Sequence, residues 1–164
     1  MKALFMRLLI ILMCMTRSLY VYAGEANYVL LDSSFATKLM AQCSRPTPTI
    51  DRSWNPTPLD VAALESRLDS ISHLTVEGCC IVGARIDKPR QTLRQYVGVI
   101  VNGRRFIYLN AFPEAEFDDW PSQMPKPDWR MTPYIVCDGG TSYWGVLYDP
   151  VTGTFSVLAT NGVA

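Results

Sequence analysis

The sequence predicts an α+β domain: two N-terminal helices packed on a roughly five-stranded antiparallel sheet, stapled by two disulfides. Three observations predict it. Apolar residues recur at helical spacing up to Ile71, and after Gly78 the period changes to two. Asn102-Gly103 and Asp149–Gly153 each separate two strand-like runs at hairpin spacing. Cys43, Cys79, Cys80 and Cys137 form an even set once a leader is removed.

The leader comes first, because the compartment decides what the cysteines mean. Lys2 and Arg7 precede a short apolar block, Leu8 to Met15, which is too short to span a bilayer. With "VYA" at Val21 to Ala23, this reads as a secretory signal cut after Ala23. Arg17 is unusual so close to a cut. Two other readings stand beside this one: an ordinary amphipathic helix, and a lipoprotein acylated on Cys14, although Met13 is bulky for the residue before a lipidated cysteine. Cleavage after Ala23 leaves 141 of the 164 residues, one domain by size, spanning 24–164. It also removes three basic residues, so 12 basic face 15 acidic ones and the net charge is −3. That balance gives no electrostatic case for nucleic acid. No transmembrane anchor is expected after cleavage, and the location expected is the periplasm or the medium.

Four cysteines in an oxidising compartment point to two bridges. A Cys79–Cys80 bond closes a strained eight-membered ring and is set aside. On a strand, adjacent side chains point to opposite faces, so each of the pair is expected to reach a different partner. The expected wiring is Cys43–Cys80 with Cys79–Cys137, and the alternative exchanges Cys79 and Cys80. A reactive thiol wants a nearby base, and the one histidine, His73, lies six residues upstream. Adjacent cysteines diverge, unlike the converging ligands of a zinc site.

The elements follow in order. Asp32 or Ser33 caps a short helix whose Phe35, Leu39 and Cys43 share a face. The prolines of "SRPTPTIDRSWNP" require an extended surface segment. Thr57 caps a second helix, with Pro58 at its first position and Asp60 closing a capping box; Val61, Leu64, Leu68 and Ile71 mark its apolar face. Residues 79–86 alternate as a strand, with Cys80, Val82, Ala84 and Ile86 on the more apolar side. "QYVGVIVNGRRFIYLNAF" is a hairpin with apolar residues on both faces, so both faces are expected to be covered. A long loop with four prolines follows, then a strand in "TPYIVCDGG". The last element is a hairpin turning at Asp149–Gly153, where Asp149 bonds the turn amides and Gly153 takes a positive φ.

The runs "YVGVIVNGRRFIYLNAFP" and "CDGGTSYWGVLYDPVTGTFSVLATNG" resemble those of a group of small, uncharacterised exported proteins of proteobacteria. "QCSRPTP" and the pattern from Trp54 to Leu68 fit the same group. The resemblance covers most of the chain after the leader. It implies a secreted or periplasmic location and carries no activity or site residues.

No P-loop, nucleophile elbow or dinucleotide fingerprint is present, and neither a cofactor nor a metal is expected. Glu114, Glu116, Asp118 and Asp119 form an acidic patch whose spacing fits no calcium loop. Asp138-Gly139-Gly140 has the makings of an anion nest but lacks an accompanying nucleophile, and reads as a turn. Trp120, Trp129, Tyr143 and Trp144 are the candidate partner-binding residues, since aromatics beside a sheet bind partners or sugars. The competing reading is that they close the second side of the sheet. The expected function is an exported envelope binding protein, inhibitor- or immunity-like, whose partner is another protein or an envelope component. The alternative is a small hydrolase with a carboxylate-based site. The single histidine leans away from an enzyme, because His is the usual base near neutral pH.

Overall fold

A computed structural model of the chain describes residues 26–78, 80–118 and 120–163. The expected leader, Cys79 and Asp119 lie outside the described residues. Among the described residues six strands form one mixed sheet: β1 (Tyr28–Leu30), β2 (Arg52–Trp54), β3 (Leu93–Val101), β4 (Arg104–Phe112), β5 (Trp144–Asp149) and β6 (Thr154–Thr160). Their order is β1-β3-β4-β5-β6, with β2 also paired to β3. Two helices accompany them, α1 (Ala36–Met40) and α2 (Pro58–Ser66).

The β3–β4 hairpin is the centre of the sheet, and its turn is the one expected. Asn102 and Gly103 have φ of 49° and 74°, the positive values that the favoured two-residue turn requires. Asp51 Oδ2 accepts the Gly103 N–H at 2.8 Å and ties β2 to the tip. The β5–β6 turn is also as expected. Gly153 has φ 68° and its N–H reaches the Asp149 carbonyl at 2.8 Å, while Asp149 Oδ1 accepts from Val151 at the same distance.

Both faces of the sheet are covered, and the helices divide them. Ala36, Leu39 and Met40 of α1 pack with Val97, Val99, Tyr108 and Leu147. On the other face Val61 and Leu64 of α2, then Leu68 and Ile71 of the 3-10 turn after it, pack with Leu109, Trp144, Val146 and Tyr148. The two helices therefore lie on opposite faces of the sheet. The capping box at the start of α2 is complete: the Thr57 side chain accepts the Asp60 N–H, and the Asp60 carboxylate accepts the Thr57 N–H at 2.8 Å. Burying each of Leu64, Leu68 and Ile71 is worth about 1.5–3 kcal/mol.

Some expectations are corrected. The sheet is mixed because β1 runs parallel to β3, Tyr28 facing Arg94. Three-residue strands show no period, so β1 and β2 leave no pattern to read. β2 lies within the proline-rich extended segment and approaches β3 at Gly98, where a Cβ would stand 2.7 Å from Pro56 Cδ. The strand expected at 79–86 is absent among the described residues 80–86. There the chain turns at Gly83 (φ 83°), Val76 N–H bonds the Ala84 carbonyl, Gly83 N–H bonds the Val76 carbonyl, and Val82 is exposed. "TPYIVCDGG" is a loop, not a strand. Its backbone is held by buried side-chain amides: Gln95 donates to the Trp129 and Thr132 carbonyls, Asn110 to Tyr134, and Asn161 to Val136 and Asp138.

The wiring is corrected as well. Among the described residues one complete bridge is seen, Cys43–Cys137, with Cα atoms 5.1 Å apart. Neither Cys43–Cys80 nor Cys79–Cys137 is formed. The helix ends at Met40, so Cys43 lies in the following loop and not on a helical face; with no strand among the described residues 80–86 the opposite-face argument lapses. Cys80 is also disulfide-bonded. Cys43 and Cys137 hold each other, so the partner of Cys80 lies outside the described residues.

Candidate partner-binding groove

A groove of about 550 Å³ runs along β6, the strand at one edge of the sheet. Its second wall is the segment from His73 to Gly78. That segment is fixed by what lies on either side. Ile71 sits in the core, and three residues after His73 Val76 is buried again, so the chain between them must pass over the edge of the sheet. The floor is apolar, with Phe155 and Leu158, and the rim is polar, with His73, Glu77 and Ser156. No backbone hydrogen bond crosses from β6 to this wall among the described residues.

β6 carries a β-bulge at this point. Gly145 faces Ala159 and Leu147 faces Ser156, so Val157 and Leu158 together oppose Val146. Val157 holds φ at 56° and is 58% exposed. A β-branched residue in the left-handed region is an outlier, and such strain concentrates at sites where structure serves binding. The bulge is visible in the sequence after the fact. Strict alternation from Phe155 would bury Val157 and expose Leu158, yet Leu158 is the buried one.

The four aromatic candidates do not gather into one surface. Trp144 is 1% exposed and belongs to the core beside Val146 and Tyr148, so it is corrected from partner-binding candidate to core residue. Trp129 and Tyr143 pack on Leu93, Phe112 and Phe117, and Trp120 stacks on Phe117 at 6.3 Å between ring centroids. The Trp120 Nε1 is buried and has no hydrogen-bond partner. These three rings pack around Phe112 and Phe117 where β4 ends.

The acidic patch is likewise divided. Glu116 accepts hydrogen bonds from the Tyr134 hydroxyl at 2.6 Å and from the Tyr143 hydroxyl. Burial raises both phenols above the ordinary tyrosine range, and the bond to Glu116 and its charge add to the effect. With each oxygen held by a phenol, Glu116 braces the loop. Glu114 and Asp118 are exposed, and Asp119 lies outside the described residues. Gly139 and Gly140 both have positive φ, but the Gly140 N–H is taken by the Gly162 carbonyl at 2.9 Å. The pair is a turn into β5. His73 is exposed on the groove rim, away from these carboxylates in the sequence and lining none of their cavity.

No protein family, curated protein or solved structure matches the chain. Among the described residues no helix is long and apolar enough to cross a membrane, and no three His, Cys, Asp or Glu side chains converge as metal ligands.

Proposed function

We propose that the chain is an exported binding protein of the cell envelope, inhibitor- or immunity-like, and that it takes an extended segment of a partner protein in the groove beside β6. The observation that carries this reading is the sheet edge itself. β6 pairs with β5 on one side and leaves its other side facing the groove, with an apolar floor for alternate side chains. An edge strand next to apolar pockets is the geometry in which extended peptides are captured, the backbone giving affinity and the pockets giving specificity. The bulge at Val157 limits pairing to one part of the edge, which also suppresses self-association through it. The solvent-exposed Cys43–Cys137 bridge supports export, since such bonds persist in oxidising compartments. The carboxylate hydrolase reading finds less support, because Glu116 is engaged by two phenols.

A photo-crosslinking residue placed at Val157 in producing cells tests the reading. It should give a discrete protein adduct that excess unlabelled chain abolishes. The same residue at exposed Leu59 and Met131, remote from the groove, should not. Identical adducts from all three positions, or none from Val157, would overturn it.

A further inference from the structure

We infer that Arg52, Arg105 and Trp54 form a separate contact site, which takes a carboxylate-bearing segment of a protein. The inference goes beyond the binding reading, because it uses neither the groove nor its occupant. The site lies at the other edge of the sheet: β2 pairs with β3, and β4 and β5 stand between β3 and β6. In the strand register Arg52 faces Ile100, and Ile100 faces Arg105. Residues directly opposite each other share a face, so both arginines stand on one face, about 10 Å apart at Cα. Side chains of that length can reach a common point between them. Ile100 belongs to neither of the clusters that the helices cover, yet it is 6% exposed. The apolar stems of its two arginine neighbours can cover it while their charged heads stay in water. Arg52 and Arg105 are both exposed.

The site is held in place before any partner arrives. Trp54 faces Gly98, and its indole Nε1 donates to the Phe106 carbonyl at 2.9 Å, which lays the ring across β3 onto β4. The Arg105 guanidinium lies over that ring, 5.2 Å from its centroid. A guanidinium stacked on an aromatic ring loses little freedom on binding, and its planar fork matches a carboxylate with two parallel hydrogen bonds. Among the described residues no carboxylate stands within ion-pair distance of Arg52 or Arg105. Arg104 points to the opposite face and is paired with Asp149, and Asp51 gives a carboxylate oxygen to the Gly103 N–H. The charge count chooses the partner. Recruitment to an anionic membrane takes clusters of about 4–8 basic residues, and this corner offers two. The whole chain has 15 basic and 15 acidic residues, so no long-range field favours a polyanion such as nucleic acid. Two arginines beside one tryptophan fit an acidic protein segment, since these residue types anchor protein interfaces.

The test is a nuclear magnetic resonance titration of the purified chain with poly-L-glutamate at low salt, read at the Trp54 indole N–H. That signal should move in a saturable way, and added salt should reverse the shift. The Arg52→Gln/Arg105→Gln variant should bind at least about tenfold more weakly. Lys38→Gln/Lys88→Gln removes the same charge from exposed positions elsewhere and should stay within about twofold of wild type. Arg52→Lys/Arg105→Lys keeps both charges and both apolar stems, and it decides the case if the glutamine variant fails to fold. It should bind about threefold more weakly, because an ammonium cannot reproduce the fork. An unmoved Trp54 signal, equal losses in the two glutamine variants, unchanged affinity in the lysine variant, or tighter binding to phosphatidylglycerol vesicles than to poly-L-glutamate would each overturn the inference.

Discussion

Arg45 Nη1 donates to Asn161 Oδ1 at 3.2 Å, joining the segment before β2 to the last residues of the chain across 116 positions. The same guanidinium donates to the Tyr108 hydroxyl at 3.1 Å and to Asn110 Oδ1, and it is 3% exposed. No carboxylate stands within ion-pair distance of it among the described residues. Neutral oxygens therefore hold a buried cation, which is tolerable only while its donors are satisfied.

Arg45→Ala should consequently be among the most damaging single changes. It leaves Tyr108, Asn110 and Asn161 each short of a donor, at about 1–3 kcal/mol for each buried group left unpaired. A loss of at least about 3 kcal/mol is expected in urea unfolding, with Arg45→Lys in between because an ammonium cannot reach all three. A change below about 1 kcal/mol would show that the cavity fills with water and the network matters little.

That network also marks where sequence reading stops. The capping box, both hairpin turns and the apolar face from Val61 to Ile71 depend on residues close in sequence, and all were legible. Residues 79–86 alternate as well as any strand, but what places residues 80–86 is a contact with Val76 and a turn at Gly83. "TPYIVC" has strand composition, yet Gln95, Asn110 and Asn161 take its backbone bonds from up to 39 positions away. Nothing local announces that. The groove was missed for the same reason: His73 and Val157 line it together although 84 positions separate them.

The hairpin tip offers a clean local test. Asn102 sits at φ 49° and a β-branched side chain resists that conformation. Asn102→Val should cost about 1–2 kcal/mol, the general penalty for left-handed backbone in an L-residue. Chemical denaturation measures it, and Asn102→Gly serves as the control expected to stay near wild type.

The tyrosines predict an alkaline limit to stability. Tyr96, Tyr108, Tyr134, Tyr143 and Tyr148 all have raised values, burial being the first cause in each. A free tyrosine titrates near 10. Below that, the phenols are protonated in both states and their contribution is fully present. Above it, the unfolded chain releases protons first, so stability falls as pH climbs from about 10 towards the folded values. Melting temperature measured from pH 8 to 11.5 should hold and then drop. The Tyr134→Phe/Tyr143→Phe variant should show a shallower drop, and an equal slope would contradict the assignment.

Val157 is the position where substitution should raise stability. Its left-handed φ of 56° costs about 1–2 kcal/mol for an ordinary L-residue, and its side chain is mostly exposed, so little packing is lost on removing it. Glycine takes that conformation freely but adds about 0.5–1 kcal/mol of chain entropy to the unfolded state. Asparagine tolerates the left-handed region without that full penalty. Val157→Asn is therefore expected to gain about 1 kcal/mol, which is about 3 °C in melting temperature for a domain of this size, and Val157→Gly somewhat less. The same variants separate strain from binding. If the bulge exists to present Val157 to a partner, a photo-crosslinker moved to the exposed neighbour Ser156 should still label the groove's occupant in the wild type, and label it less in the stabilised Val157→Asn chain. Loss of stability on either substitution would show that the Val157 methyl groups pack against the groove wall more than their exposure indicates.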